Sequence, residues 1–146
     1  MKYVKDVSLT AIGCIGSFVT WLVGGWDTAM ITLIIFMAID YITGLIVAGV
    51  FKNSPKTESG ALESRAGLKG LIRKGVMLLI VFVAVQLDLV IGSTFIRNAV
   101  IIAFIANETI SLVENAGLMG VPIPTAITKA IDVLKNNSDD ESEESK

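Results

Sequence analysis

The 146-residue chain has no histidine and a single cysteine, Cys14. The first absence excludes imidazole general acid–base chemistry and histidine-based metal sites, and the second excludes an intrachain disulfide. Cys14 without a histidine partner is a poor nucleophile and reads as a small apolar-face residue. Glycine-rich phosphate loops, Cys/His ligand spacings, Ser-His-Asp sets and zinc-protease helix motifs are all missing. Glu108 and Glu114 are six residues apart, so on a helix they diverge by about 120° and form no tight acid–base pair. The basic residues lie between apolar runs without interleaved aromatics, which argues against nucleic-acid binding. These absences leave no enzyme and no cofactor.

What is present is apolar. Hydrophobic residues make up 53% of the chain and the mean hydropathy is +0.70, more than so small a soluble domain can bury. The net charge of −2 hides an uneven distribution, because residues 139–146 hold five acids and one lysine. Without them the chain carries about +2, with its cations clustered.

The runs read as an all-α membrane protein with about four transmembrane helices, near residues 7–24, 28–51, 75–95 and 97–117. Three crossings result if the fourth segment is interfacial or re-entrant. The first run is too long, and too soon followed by a second, for a cleaved signal peptide. Along it Thr10, Gly13, Ser17, Thr20 and Gly24 recur at spacings of 3 and 4. Such a line of small residues suits close helix–helix packing in lipid. Trp21 and Trp26 suit a membrane–water boundary.

The second run carries Asp40 near its middle, which faces a pore or a neighbouring helix, or is hydrogen-bonded inside a bundle as a structural group. The stretch 52–74 begins with turn-forming residues and holds half of the chain's twelve basic residues. Its later part, with Leu68, Leu71 and Ile72 between Arg65, Lys69, Arg73 and Lys74, suits a short helix on the membrane surface. The positive-inside rule makes this loop cytoplasmic, and Lys2 with Lys5 puts the N-terminus on the same side. The third run is interrupted by Gln86 and Asp88. After Val121-Pro122-Ile123-Pro124, residues 125–135 read as a short C-terminal amphipathic helix at the interface. Residues 136–146 form an acidic tail whose composition predicts disorder.

The fourth segment is the most informative. Asn107, Glu108, Ser111, Glu114 and Asn115 fall within an arc of about 120° on an otherwise apolar helix. Carboxylates in a bilayer must face water or a partner, so this stripe points to an aqueous path or an oligomer seam. Asp40 with the stripe is the candidate pore-lining set, and the line from Thr10 to Gly24 is the candidate packing seam. A protomer of four spans encloses no wide path alone, so transport of anything large requires a homo-oligomer. A small ion channel or transporter subunit, relaying through Asp40, Asp88 and Glu108, is the competing reading.

Several motifs carry a family resemblance. Trp26-Asp27 with Met37-Ala38-Ile39-Asp40-Tyr41-Ile42-Thr43-Gly44 resembles the second-span signature of a phage holin family. That family includes lysis holins of Gram-positive prophages and clostridial toxin-release holins. The stretch 67–74, Gly-Leu-Lys-Gly-Leu-Ile-Arg-Lys, is similar to its basic loop. The clearest match is 106–115, Ala-Asn-Glu-Thr-Ile-Ser-Leu-Val-Glu-Asn, followed by Gly120-Val121-Pro122-Ile123-Pro124. The resemblance covers residues 26–134. It implies a protein of the bacterial cytoplasmic membrane that assembles into lesions. The functional partner would be an endolysin or a secreted toxin, with an antiholin as a further partner. A non-conducting antiholin or assembly factor is the remaining alternative within this picture.

Overall fold

The computed structural model describes residues 1–133, and these are helical apart from turns and one loop. The helices are α1 (Lys2–Leu22), α2 (Thr28–Ile46), α3 (Ser64–Ile91) and α4 (Phe95–Leu118). Residues 125–133 form a further helical stretch, and the expected helix through 135 and the tail 136–146 extend beyond the described residues. Helix α2 runs directly into a π-helical turn, Val47–Phe51, closed by Lys52 in a left-handed conformation (φ 49°). The loop 52–63 then leads to α3. The basic stretch 64–74, expected as a separate surface helix, is instead the first three turns of α3. Nothing between Ser64 and Ile91 breaks the hydrogen-bond ladder, because the glycines there cost little compared with a proline.

Each chain reversal has a local cause. Asp27 caps α2 by accepting from the Met30 amide at 2.9 Å. Gly92 ends α3 with φ +74°, a left-handed cap that glycine adopts without steric cost. The start of α4 is capped from the preceding helix: Asp88 accepts from the Ile96 and Arg97 amides at 3.0 and 2.8 Å. Asp88, an interruption of the third apolar run in sequence, therefore locks the α3–α4 turn.

The buried faces follow a heptad-like spacing on all three helices. On α2 they are Met30, Leu33, Met37 and Asp40, continued by Val47 of the π-helical turn, and on α3 Met77, Val81, Ala84 and Asp88, with Lys74 one step earlier. On α4 they are Arg97, Ile101, Glu108 and Asn115. Steps of 3 and 4 keep one seam facing its neighbours in left-handed packing. Helix α4 packs on both α2 and α3, which touch each other little. Met30, Leu33, Val81 and Ile101 are wholly buried at the centre. In a bilayer such a core holds by close packing rather than by escape from water.

Three helical segments are long and apolar enough to cross a membrane: Thr28–Phe51, Ser64–Ile91 and Phe95–Leu118. The helix that falls short is the first and not the fourth. Lys2, Lys5 and Asp6 polarise its start, and residues 7–22 span only about 24 Å, against a hydrocarbon core of about 30 Å. It also stands apart from the bundle, with every residue from Tyr3 to Val19 exposed.

Candidate functional site

The polar residues within the bundle form two layers. Asp27 and Asp40 are thirteen residues apart on or beside α2, which separates the layers by roughly 20 Å. Between them lie Met30, Leu33, Met37, Met77, Val81 and Ile101.

The layer around Asp40 joins all three helices. Lys74 of α3 donates to Asp40 Oδ2 of α2 at 2.7 Å and to Glu108 Oε2 of α4 at 2.5 Å. Asn115 of α4 donates to the other Asp40 carboxylate oxygen at 3.0 Å and to the Thr43 hydroxyl at 2.9 Å. These side chains are almost wholly enclosed, with Glu108 only 2% exposed. A charge buried to that degree requires a partner, because desolvating it alone costs several kcal/mol. Two carboxylates around one ammonium form such a set. Beside the cluster opens a cleft of about 100 Å³ between α2, α3, α4 and the loop 52–63.

The second layer surrounds Arg97. Its Nε donates to the Val23 carbonyl at 2.6 Å and one terminal nitrogen to the Gly25 carbonyl at 3.0 Å. The other terminal nitrogen donates to Asp27 Oδ2 at 2.7 Å. A planar guanidinium satisfies three directions at once, as an ammonium cannot. Gly24 (φ +73°) passes so close that a Cβ there would lie 2.9 Å from Arg97 Nε. The Arg97 hydrogen bond holds the Asp27 carboxyl below the ordinary carboxylate value, outweighing desolvation, which acts the other way, with the Met30 amide lowering it further. The α1–α2 turn and the start of α4 thus lie together at one end of the bundle, and the loop 52–63 lies at the other.

The residues singled out in the sequence divide between these environments. Asp40, Glu108 and Asn115 meet in the buried cluster, and Ser111 is half-buried. Asn107 is exposed yet lines the same cleft as Asp40, Glu108, Ser111 and Asn115, whereas Glu114 is exposed outside it. The stripe is therefore divided along its length: one edge faces the bundle and the other faces out. Asp40, Asp88 and Glu108 do not form a chain, because Asp88 belongs to the Arg97 end and the apolar layer intervenes.

On α1, Thr10, Gly13 and Ser17 are exposed, with nothing within 4 Å of a Cβ at Gly13. Thr20 accepts from the Trp26 indole at 2.8 Å, and Gly24 lies against Arg97.

Lys74, Arg97 and Thr43 are the members that the sequence reading missed. By composition Lys74 groups with its basic neighbours. Its signal was the spacing from Lys74 through Met77, Val81, Ala84 and Asp88, which continues the apolar seam by one step.

With this geometry in view, comparison with known proteins is informative. The family model described as the bacteriophage holin family matches residues 17–136. An uncharacterized 14.9 kDa protein of Clostridium perfringens is 37% identical over 84% of this chain and 88% of its own length. An uncharacterized protein of Listeria innocua is 35% identical over 98% and 95% of the two chains. The probable holin of Bacillus phage phi105 is 33% identical over 76% and 77%. No solved structure matches.

Proposed function

We propose that this chain, which belongs to the bacteriophage holin family, assembles in the bacterial cytoplasmic membrane into lesions large enough for protein to pass. Holins are pore-forming membrane proteins and not enzymes. The cargo in this reading is an endolysin that degrades the cell wall, or a large secreted protein such as a toxin. An antiholin is a further partner consistent with the reading.

One observation carries it. The bundle gives its buried polar groups partners within itself and has a packed apolar layer between its two polar layers. A single copy therefore offers no continuous aqueous route, and a wide one has to form between copies. In the unassembled state Glu108 and Asn115 are satisfied by Lys74, Asp40 and Thr43. On assembly, many copies turn Asn107, Glu108, Ser111, Glu114 and Asn115 toward water and keep their apolar backs in lipid. The line of small residues exposed on α1 suits contacts between copies.

The loop 52–63 and the first turns of α3 hold the cluster of cations, so we assign that end of the bundle to the cytoplasm. The opposite end, tied by Arg97, then faces out. A cytoplasmic N-terminus, favoured by Lys2 and Lys5, requires α1 to cross in the assembled protein, a fourth crossing completed by neighbouring copies.

The test is inducible expression in bacteria beside a cytoplasmic endolysin that has no export route of its own. Abrupt lysis that depends on both proteins is the expected result. Leakage restricted to small ions would replace this reading with an ion channel. Delayed killing by a co-expressed holin, with no lesion of its own, would replace it with an antiholin.

A further inference from the structure

Helix α3 has 28 residues, about 42 Å, and so outreaches a hydrocarbon core of about 30 Å. Its apolar part begins at Gly75, and Arg73 lies just before that boundary. Here the cleft beside the Lys74 cluster opens. Lys56 from the loop and Arg73 from α3 line it and are exposed. Neither makes an ion pair among the described residues, whose ion pairs use Lys74 and Arg97 alone. The acids that line the cleft are Asp40 and Glu108, both engaged by Lys74, and Glu63, which accepts from Ser59 at 3.1 Å. Tyr41 lies opposite Gly67 and Gly70, and Leu45 and Leu62 supply an apolar wall. Leu62 is itself 56% exposed.

Two cations with no ion pair among the described residues, beside an apolar wall at the depth where spanning helices leave hydrocarbon, match one ligand chemistry. We propose that the cleft binds the headgroup phosphate of an anionic phospholipid, held by Lys56 and Arg73, with the acyl chains along Leu45 and Leu62. The phosphate neutralises the two cations. The chains cover leucine surface that a free phosphate would leave uncovered. A volume of about 100 Å³ accommodates a phosphate group but not a whole lipid, so the chains remain in the bilayer. The cleft shares Asn107, Glu108, Ser111 and Asn115 with the polar stripe, but lipid binding there does not depend on the assembly reading.

Native mass spectrometry of the full-length protein tests it, after equilibration in detergent with equal phosphatidylglycerol and phosphatidylcholine. Wild type should retain phosphatidylglycerol preferentially. The double variant Lys56→Gln/Arg73→Gln should lose that preference by about tenfold. The control Arg65→Gln/Lys69→Gln removes exposed cations of α3 that do not line the cleft and should keep the preference. Circular dichroism confirms that each variant is folded. Equal loss in control and cleft variants would overturn the site in favour of diffuse surface charge, and an unchanged preference in the cleft variant would overturn it outright. Displacement of the lipid by inorganic phosphate would show a free-anion site and also overturn it. No arm involves lysis, so failure here leaves the holin reading intact.

Discussion

Lys74 of α3 donates to Asp40 of α2 at 2.7 Å and so joins two helices that otherwise barely touch. The same ammonium reaches Glu108 of α4, so one side chain links the whole bundle. Lys74→Met leaves two buried carboxylates without their cation. The expected cost is about 3–5 kcal/mol, read as a large drop in thermal midpoint in detergent. The triple variant Lys74→Met/Asp40→Asn/Glu108→Gln removes the charges together and should recover most of that loss. An unshifted midpoint for Lys74→Met alone would refute the role assigned to the cluster.

Arg97→Lys tests the other layer. Lysine keeps the charge but reaches one partner at a time, so the contacts to Val23, Gly25 and Asp27 cannot all persist. A loss of about 3 kcal/mol is expected, from hydrogen bonds that involve a charged group. Gly24→Ala should act in the same direction through its positive φ and the close approach to Arg97. Both variants should speed proteolysis in the 23–27 turn while leaving α3 protected. Wild-type cleavage rates in both would show that Arg97 is not the tie.

The Asp27 carboxyl is held below its ordinary value of 3.8, chiefly by the Arg97 hydrogen bond. A depressed acid contributes stability above its unfolded value and loses it as pH falls through the lower folded value. Trp26 fluorescence in detergent should therefore stay constant from neutral pH down to about 4 and change only below it. Asp27→Asn should remove that acid transition. A transition between pH 5 and 7 that disappears in Asp27→Asn would contradict the assignment.

The sequence made the helices legible because apolar runs and turn residues report directly on backbone geometry. Gly24, Gly25 and Gly92 mark the reversals, and each has a positive φ. Asp40, Glu108 and Asn115 were recognisable because a polar group amid apolar neighbours has to be explained by a partner. The partners were harder to find. Lys74 lies among Arg73 and Lys69, which face out, and composition does not distinguish the one cation that turns inward. Arg97 finds its acceptors some seventy residues earlier in the chain, and two of them are backbone carbonyls, which leave no mark in sequence. The division of the stripe between Glu108 and Asn107 depends on where α2 and α3 meet α4, a tertiary relation.

Helix α1 gives a prediction of opposite character. A Cβ at Gly13 would have nothing within 4 Å and Ser17 is exposed, so Gly13→Leu and Ser17→Leu should leave the thermal midpoint unchanged. If the small residues serve contacts between copies, the same changes should weaken self-association in detergent by about tenfold. Analytical ultracentrifugation measures this directly. Unaltered self-association with leucine at both positions would remove α1 from the assembly contact.

Thiol labelling along α4 addresses the assembly reading itself, in a Cys14→Ser background because Cys14 is exposed. Single cysteines replace Asn107, Glu108, Ser111, Glu114 and Asn115 in turn, and a membrane-impermeant reagent is applied before and after onset of lysis. In the unassembled bundle, positions 107 and 114 are open while 108 and 115 are enclosed. Early labelling should therefore be weak at all five, because the enclosed pair is shielded by the bundle and the open pair lies within the spanning part of α4, out of reach of an impermeant reagent. If assembly turns the stripe to water, all five positions should label afterwards, while Ile102, exposed on the apolar side of α4, stays unreactive when replaced by cysteine. The Glu108→Cys and Asn115→Cys variants also disturb the Lys74 cluster, so Ser111→Cys, at a half-buried position with no hydrogen bond to that cluster, is the cleanest reporter. A Ser111→Cys protein that lyses cells on schedule yet never labels would show that the lesion is lined by some other surface.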